Sequence, residues 1–459
     1  MTASAQPLPE PGDVLELSVG EAAHGGWCVA RTGPGPVIFV RHALPGERVR
    51  AVITQTTSRL ARADATVILD PSPDRVVPPC PHARPGGCGG CDWQHASLPA
   101  QRALKAAVVR QQLRRIAGLE REVTVEPVPG DEAGLGWRTR VKFAVGPGGV
   151  AGLHRHRSHE VMEIGECPIA HPLVTAAGAT RRPWPQVASV EVAAAPGSDQ
   201  RAVIVTARGR GPAPWRSDQA GGPEPGGGPE IEADTVLVRR PGPAGRPGRR
   251  PSPGARARTT VTRGPGHLRQ RAAGRDWRVS AAGFWQVHPG AADTLAAAVL
   301  AAARPQPGDV ALDLYCGAGL FAGVLAEAVG PAGAVIGIES DAAAVRDARH
   351  NLRATPWARV HRGDAAEVLA RTGLSGASLA VLDPPRTGVA RPVLDLLSAP
   401  PPPGAGRLSR IAYVSCDPAT LARDLGVLAT AGWTLEDLRA FDAFPMTHHV
   451  ECLATLTRP

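Results

Sequence analysis

The chain has 459 residues, enough for roughly three domains and a large buried core. Lysine and arginine number 51 against 42 acidic residues, a net charge of +9, and only Lys105 and Lys142 are lysines. An arginine-rich surface suits a polyanionic partner, although abundant Ala, Gly and Pro beside it also fit a general compositional bias. Eight cysteines are too sparse for a disulfide scaffold. No apolar run approaches the ~18 residues of a membrane span, and the N-terminus has no basic start followed by an apolar core. The expectation is a soluble, cytoplasmic, monomeric protein with reduced thiols that makes no membrane contact.

From Asp13 to about Asp70 apolar and polar residues alternate in short runs, as in Val14-Leu-Glu-Leu-Ser-Val and Val37-Ile-Phe-Val, with glycine between them. Short strands at this spacing predict a small β-barrel over residues 1–72. The turn His42-Ala-Leu-Pro-Gly-Glu47 resembles the Leu-Pro-Gly-Glu signature of TRAM domains, small RNA-binding barrels of the oligonucleotide-fold type.

A central α+β domain is expected over residues 73–285. It opens with Cys80-Pro-His-Ala-Arg-Pro-Gly-Gly-Cys88-Gly-Gly-Cys91, a loop rich in Gly and Pro that leaves thiolates free to converge. The spacing suits zinc or an iron–sulfur cluster, with Cys167 as a fourth ligand, or His82 or His95 for zinc. Leu98 to Leu119 has helical periodicity. The strands that follow carry Arg138, Arg140, Lys142, Arg155 and Arg157, a face suited to phosphates. His154, His156 and His159 read as a solvated basic strand and turn. Residues 209–259 are low-complexity, a floppy insertion around one possible strand at Thr235-Val-Leu-Val-Arg.

A C-terminal α/β Rossmann-like domain is expected over 286–459. A helix at Ala291 to Ala303 precedes Val310-Ala-Leu-Asp-Leu-Tyr-Cys-Gly317-Ala-Gly319-Leu-Phe, which reads as strand, glycine turn and helix. Gly317 and Gly319 let the backbone approach a ligand at a helix N-terminus. Taken alone, this loop suits NAD, a flavin or S-adenosylmethionine. Further apolar strands end at Glu339, spaced to meet a ribose diol, at Asp364, at Asp383-Pro-Pro-Arg386 and at Ser415-Cys416-Asp417-Pro418. Cys416, just before a helix start, is expected to favour its thiolate, whereas Cys316 and Cys452 read as packing residues.

These motifs, with His448-His-Val-Glu451, resemble the RNA 5-methyluridine methyltransferases of the ribosomal type, which carry a TRAM domain and a 4Fe–4S cluster. The resemblance implies S-adenosylmethionine as cofactor, bound by Gln286, Tyr315, Glu339, Asp364 and Asp383. It also implies cluster ligation by Cys80, Cys88, Cys91 and Cys167, with Cys416 as nucleophile and Glu451 as base. The implied reaction is methylation of uracil C5, on 23S ribosomal RNA ahead of transfer RNA. Leu320 and His288 depart from the family pattern, each standing where an Asn is expected. The competing readings are a non-catalytic RNA-binding or redox-sensing protein and an NAD-dependent oxidoreductase.

Overall fold

A computed structural model describes residues 8–31, 35–209, 232–240, 258–374, 376–399 and 408–458. Most of the low-complexity insertion read at 209–259 lies outside the described residues. Its possible strand is present at Thr235–Arg240.

The N-terminal strands close into a barrel in the order Val14–Ala23, Trp27–Arg31, Val37–Arg41, Leu60–Asp70, Arg48–Thr56. Alternation sends Leu17, Val19, Ile38, Val40, Val49 and Ile53 inward, each at most 5% exposed. The Leu-Pro-Gly-Glu turn owes its acid to this closure. Glu47 is buried, and its carboxylate accepts from the amides of Leu44 and Ser72 and from Arg75. Burial alone would raise its pKa. The Arg75 hydrogen bond and the two amides outweigh burial and hold it below the ordinary value.

A seven-stranded sheet forms the centre, running Arg258–Arg263, Thr235–Arg240, Gln200–Ala207, Val187–Ala195, Arg140–Val145, Ala151–His154, Val161–Glu163. The hairpin His267–Ala272/Arg275–Ser280 ties it to the third unit, where Asn351 bonds both backbone groups of Arg278 and Asp347 accepts from the Ser280 amide.

The third unit is an eight-stranded sheet ordered Ala358–Arg362, Ala334–Glu339, Val310–Leu314, Leu379–Leu382, Arg410–Ser415, Glu451–Thr457, Thr434–Asp442, Val125–Pro127. The first five strands are parallel, with helices between them, so their carboxyl ends share one edge. Glu451–Thr457 runs antiparallel to Arg410–Ser415. The expected boundary at residue 286 is crossed by the chain. Strand Val125–Pro127 pairs at the far edge of this sheet, and Ala106, Val109 and Leu113 of the helical segment beginning at Leu98 enter its core. Lys105 on that helix is fully buried, with Nζ 2.5 Å from Asp442 Oδ1.

Candidate active site

The carboxyl edge opens onto a cleft of about 1870 Å3. Gln286, Tyr315, Gly317, Glu339, Asp364, Asp383, Cys416 and Glu451 all line it. Gly319 does not line the cleft; it caps the helix Leu320–Val329 with φ +92°. Gly317 has φ +52°, and a methyl group there would meet no protein atom, so the loop leaves open space where a ligand can lie. Tyr315 takes a left-handed φ of +67°, a conformation costly for a side chain of its size and held by the hydrogen bond its backbone N–H donates to the Ile338 carbonyl. Glu339 uses one oxygen on the Gly317 amide at 3.1 Å and the other on the Asp341 amide at 2.7 Å, fixing the loop to the next strand. Asp364 caps the helix Ala365–Thr372 through one oxygen. His288 is buried against Trp137 and lies 3.5 Å from Asp131, so its departure from the family pattern is built into a packed joint.

The other half of the cleft holds two carboxyls, a thiol and an arginine. Burial raises Asp383 to about 7. Glu451 is pushed well above the carboxylate range by burial and then by Asp383. Cys416 is raised to about 12, chiefly by burial and then by Glu451, while Arg386 opposes the shift by its charge and a hydrogen bond. The thiolate expected from the nearby helix start is therefore not the resting form. Asp417, not Cys416, takes the amides of Ala419 and Thr420 at that helix end, so its own charge answers the helix dipole. The sequence motif draws attention to the acid of Asp383-Pro-Pro-Arg386; the structure adds the arginine. Arg386 also reaches His449 Nε2 at 3.3 Å, and Phe284 stands 67% exposed at the cleft. Cys316 and Cys452 are buried.

The family model for tRNA (uracil-5-)-methyltransferase matches residues 376–459, that for the TRAM domain residues 10–66, and that for protein-L-isoaspartate(D-aspartate) O-methyltransferase residues 289–368. A relative from Streptomyces coelicolor, named an uncharacterized RNA methyltransferase, is 50% identical over 99% of this chain and 96% of its own. One from Bifidobacterium longum with the same description is 33% identical over 96% of each. This chain belongs to the TRAM-containing RNA uracil-5-methyltransferase family. It is an S-adenosylmethionine-dependent RNA methyltransferase, which sets aside the oxidoreductase and the non-catalytic readings. A solved tRNA (uracil-54, C5)-methyltransferase of Pyrococcus abyssi, in complex with S-adenosyl-L-homocysteine, shares the fold. It is 22% identical with a TM-score of 0.68, covering 96% of this chain and all of that one.

The methyltransferase also gathers Cys80, Cys88, Cys91 and Cys167 around a second cavity of about 390 Å3. Burial raises the thiols of Cys88, Cys91 and Cys167. Among the described residues no group of three or more His, Cys, Asp or Glu side chains is arranged to hold a single metal ion. His82 lines this cavity too, whereas His95 is turned away, 3.5 Å from the Ala43 carbonyl inside the barrel junction. His156 departs from the solvated reading. It is half-buried against Trp27 of the barrel, and desolvation lowers its pKa to about 4.

Proposed function

We propose that this methyltransferase converts uridine to 5-methyluridine in RNA through a covalent adduct with Cys416. The observation that carries the reading is the meeting of a thiol, a buried carboxyl and an arginine at the sheet edge beside the glycine loop. In this reading Gln286, Tyr315, Gly317, Glu339, Asp364 and Asp383 hold S-adenosylmethionine, with Gly319 setting the turn. The bound cofactor supplies an electrophilic methyl group. Uracil C5 is a weak nucleophile, so Cys416 Sγ adds first to C6, and the ring becomes an enolate whose C5 takes the methyl group. The Cys416 proton passes to solvent before the addition, and Arg386 stabilises the thiolate that remains through its charge and hydrogen bond. Glu451 then removes the C5 hydrogen, the C5–C6 double bond reforms, and the C6–S bond breaks. Burial makes the Glu451 carboxylate a stronger base than an exposed one, which suits a proton held on carbon.

In this reading Cys80, Cys88, Cys91 and Cys167, which line one cavity, would hold the 4Fe–4S cluster that the family resemblance implies. Arg138 borders that cavity and suits the negative charge of the assembled site. The resemblance to the ribosomal type, which carries a TRAM domain and a cluster, supports large-subunit ribosomal RNA as substrate. The Pyrococcus abyssi neighbour, a tRNA (uracil-54, C5)-methyltransferase, and the tRNA (uracil-5-)-methyltransferase family matched at the C-terminus favour transfer RNA as the second reading. Incubation with labelled S-adenosylmethionine and unmodified ribosomal or transfer RNA, followed by mapping of 5-methyluridine, separates the two. Label in neither RNA, with cofactor bound, overturns the reading.

A further inference from the structure

Two histidine–carboxylate pairs meet where the barrel, the cysteine loop and the catalytic domain join. His24 sits in the turn between barrel strands Val14–Ala23 and Trp27–Arg31, with Nε2 3.4 Å from Asp417 Oδ2. Asp417 directly follows Cys416, and its other oxygen caps the helix Pro418–Thr430. On the opposite side Asp92, next to Cys91, lies 2.6 Å from His448 Nδ1 and accepts from the His448 amide. The amides of Asp92 and Trp93 both donate to the Met446 carbonyl, so the cysteine loop grips the segment that leads into Glu451. The His24 and His448 rings touch edge-on at 6.3 Å. His448 in turn lies 4.1 Å from the His449 ring, which meets Arg386.

The junction is closely fitted. A methyl group on Gly26, beside the His24 turn, would sit 2.7 Å from Asp92 Cβ and Cγ. Arg41 of the barrel is 2% exposed, its Nη2 makes no hydrogen bond, and Asp92 Oδ1 lies 3.8 Å away. A buried cation facing that carboxylate holds it in the joint. Thus each of the two segments that carry reacting groups is fixed by a residue from a different N-terminal module.

We infer that His24 and Asp92 are positioning residues for methyl transfer, His24 seating the Cys416 segment and Asp92 the Glu451 segment, so that the catalytic site is complete only when barrel and cysteine loop are docked. This rests on the roles proposed above for Cys416 and Glu451. A simple structural joint would change stability and leave the rates of the chemical steps alone. A positioning joint changes the rates at saturating substrate, because small displacements of a reacting group are costly.

The test uses the full-length protein with saturating S-adenosylmethionine and the RNA that the wild type methylates, in natural and 5-fluorouridine forms. The fluorinated base traps the adduct because its C5 substituent cannot leave as a proton. His24→Ala is expected to slow adduct formation by roughly 10- to 100-fold with the KM for RNA unchanged. His24→Gln, whose amide can still donate to Asp417, restores most of that rate. Asp92→Ala lets the adduct form on natural RNA but slows its release, and Asp92→Asn, which keeps an acceptor for His448, releases it at near wild-type rate. If Asp92→Ala does not fold, Gly26→Ala displaces the same carboxylate and is expected to give the same persistent adduct. Wild-type single-turnover rates in the alanine variants, or losses confined to the KM for RNA or to the melting temperature, overturn the inference. Cys416→Ala run alongside reads the underlying assignment: an adduct that survives it removes the catalytic reading itself. Loss of that adduct beside a full-rate His24→Ala enzyme sinks only the positioning role.

Discussion

Ser415 and Cys452 face each other on the last rung of the antiparallel ladder between Arg410–Ser415 and Glu451–Thr457. The residue after one and the residue before the other are Cys416 and Glu451, so the register itself brings thiol and carboxyl to the same edge. Their opposed roles give opposed variants. Cys416→Ala is expected to abolish both the covalent adduct and 5-methyluridine. Glu451→Gln is expected to accumulate the adduct while lowering turnover by roughly 10²- to 10⁴-fold, the usual worth of a positioned base. Denaturing gels of the RNA-bound protein read both, and an adduct missing from Glu451→Gln would take the base role away from that residue.

Arg386 is the residue that counters the environment of Cys416. With the thiol raised to about 12, the thiolate fraction grows with pH throughout the accessible range, so adduct formation is expected to speed up from pH 7 to 9. Arg386→Gln removes the charge and the hydrogen bond that favour the thiolate. Its rate should fall by roughly tenfold for each unit the thiol rises further, and recover in part as the pH is raised. Stopped-time assays with 5-fluorouridine RNA across that range test this. A pH-independent rate in both proteins would exclude a protonated resting thiol.

Asp383 makes stability depend on pH in a direction opposite to that of most carboxylates. Its pKa in the folded protein, about 7, lies above the ordinary value near ~4 that an unfolded chain would show. Folded protein therefore binds this proton more tightly between those limits, and the associated stability is complete below the unfolded value and lost as pH rises through about 7. Asp383→Asn keeps a neutral side chain at every pH. The cofactor-free wild type is expected to lose melting temperature relative to Asp383→Asn between pH 5 and 8, measured by calorimetry. A constant difference across that range would contradict the raised value.

Local pattern carried much of this architecture. The barrel followed from alternation, the helix beginning at Leu98 from its periodicity, and the glycine loop from residues able to take positive φ. The acids at strand ends were visible because parallel strands bring their carboxyl ends to one edge. Docking between modules was not visible. His24 and Asp417 are brought together by tertiary packing alone, and nothing periodic marks either of them. Strand Val125–Pro127 is too short to show alternation, so its place in the catalytic sheet was hidden. Proximity of Cys416 to a helix start does not reveal which neighbour takes the helix amides, and Asp417 takes them.

The cysteine cavity yields the remaining prediction. Thiols must lose their protons to ligate iron, so loading weakens as pH falls. Protein purified without oxygen is expected to be brown and to carry about four irons and four sulfides per chain. Alanine at Cys80, Cys88, Cys91 or Cys167 should remove the colour and the iron. Cys28→Ala should retain both, because that thiol is buried in the barrel against the Ala43 carbonyl and lies outside the cavity. Iron and sulfide analysis beside zinc analysis decides the matter. Zinc without sulfide, at any pH, would mean that the four thiols serve a different metal.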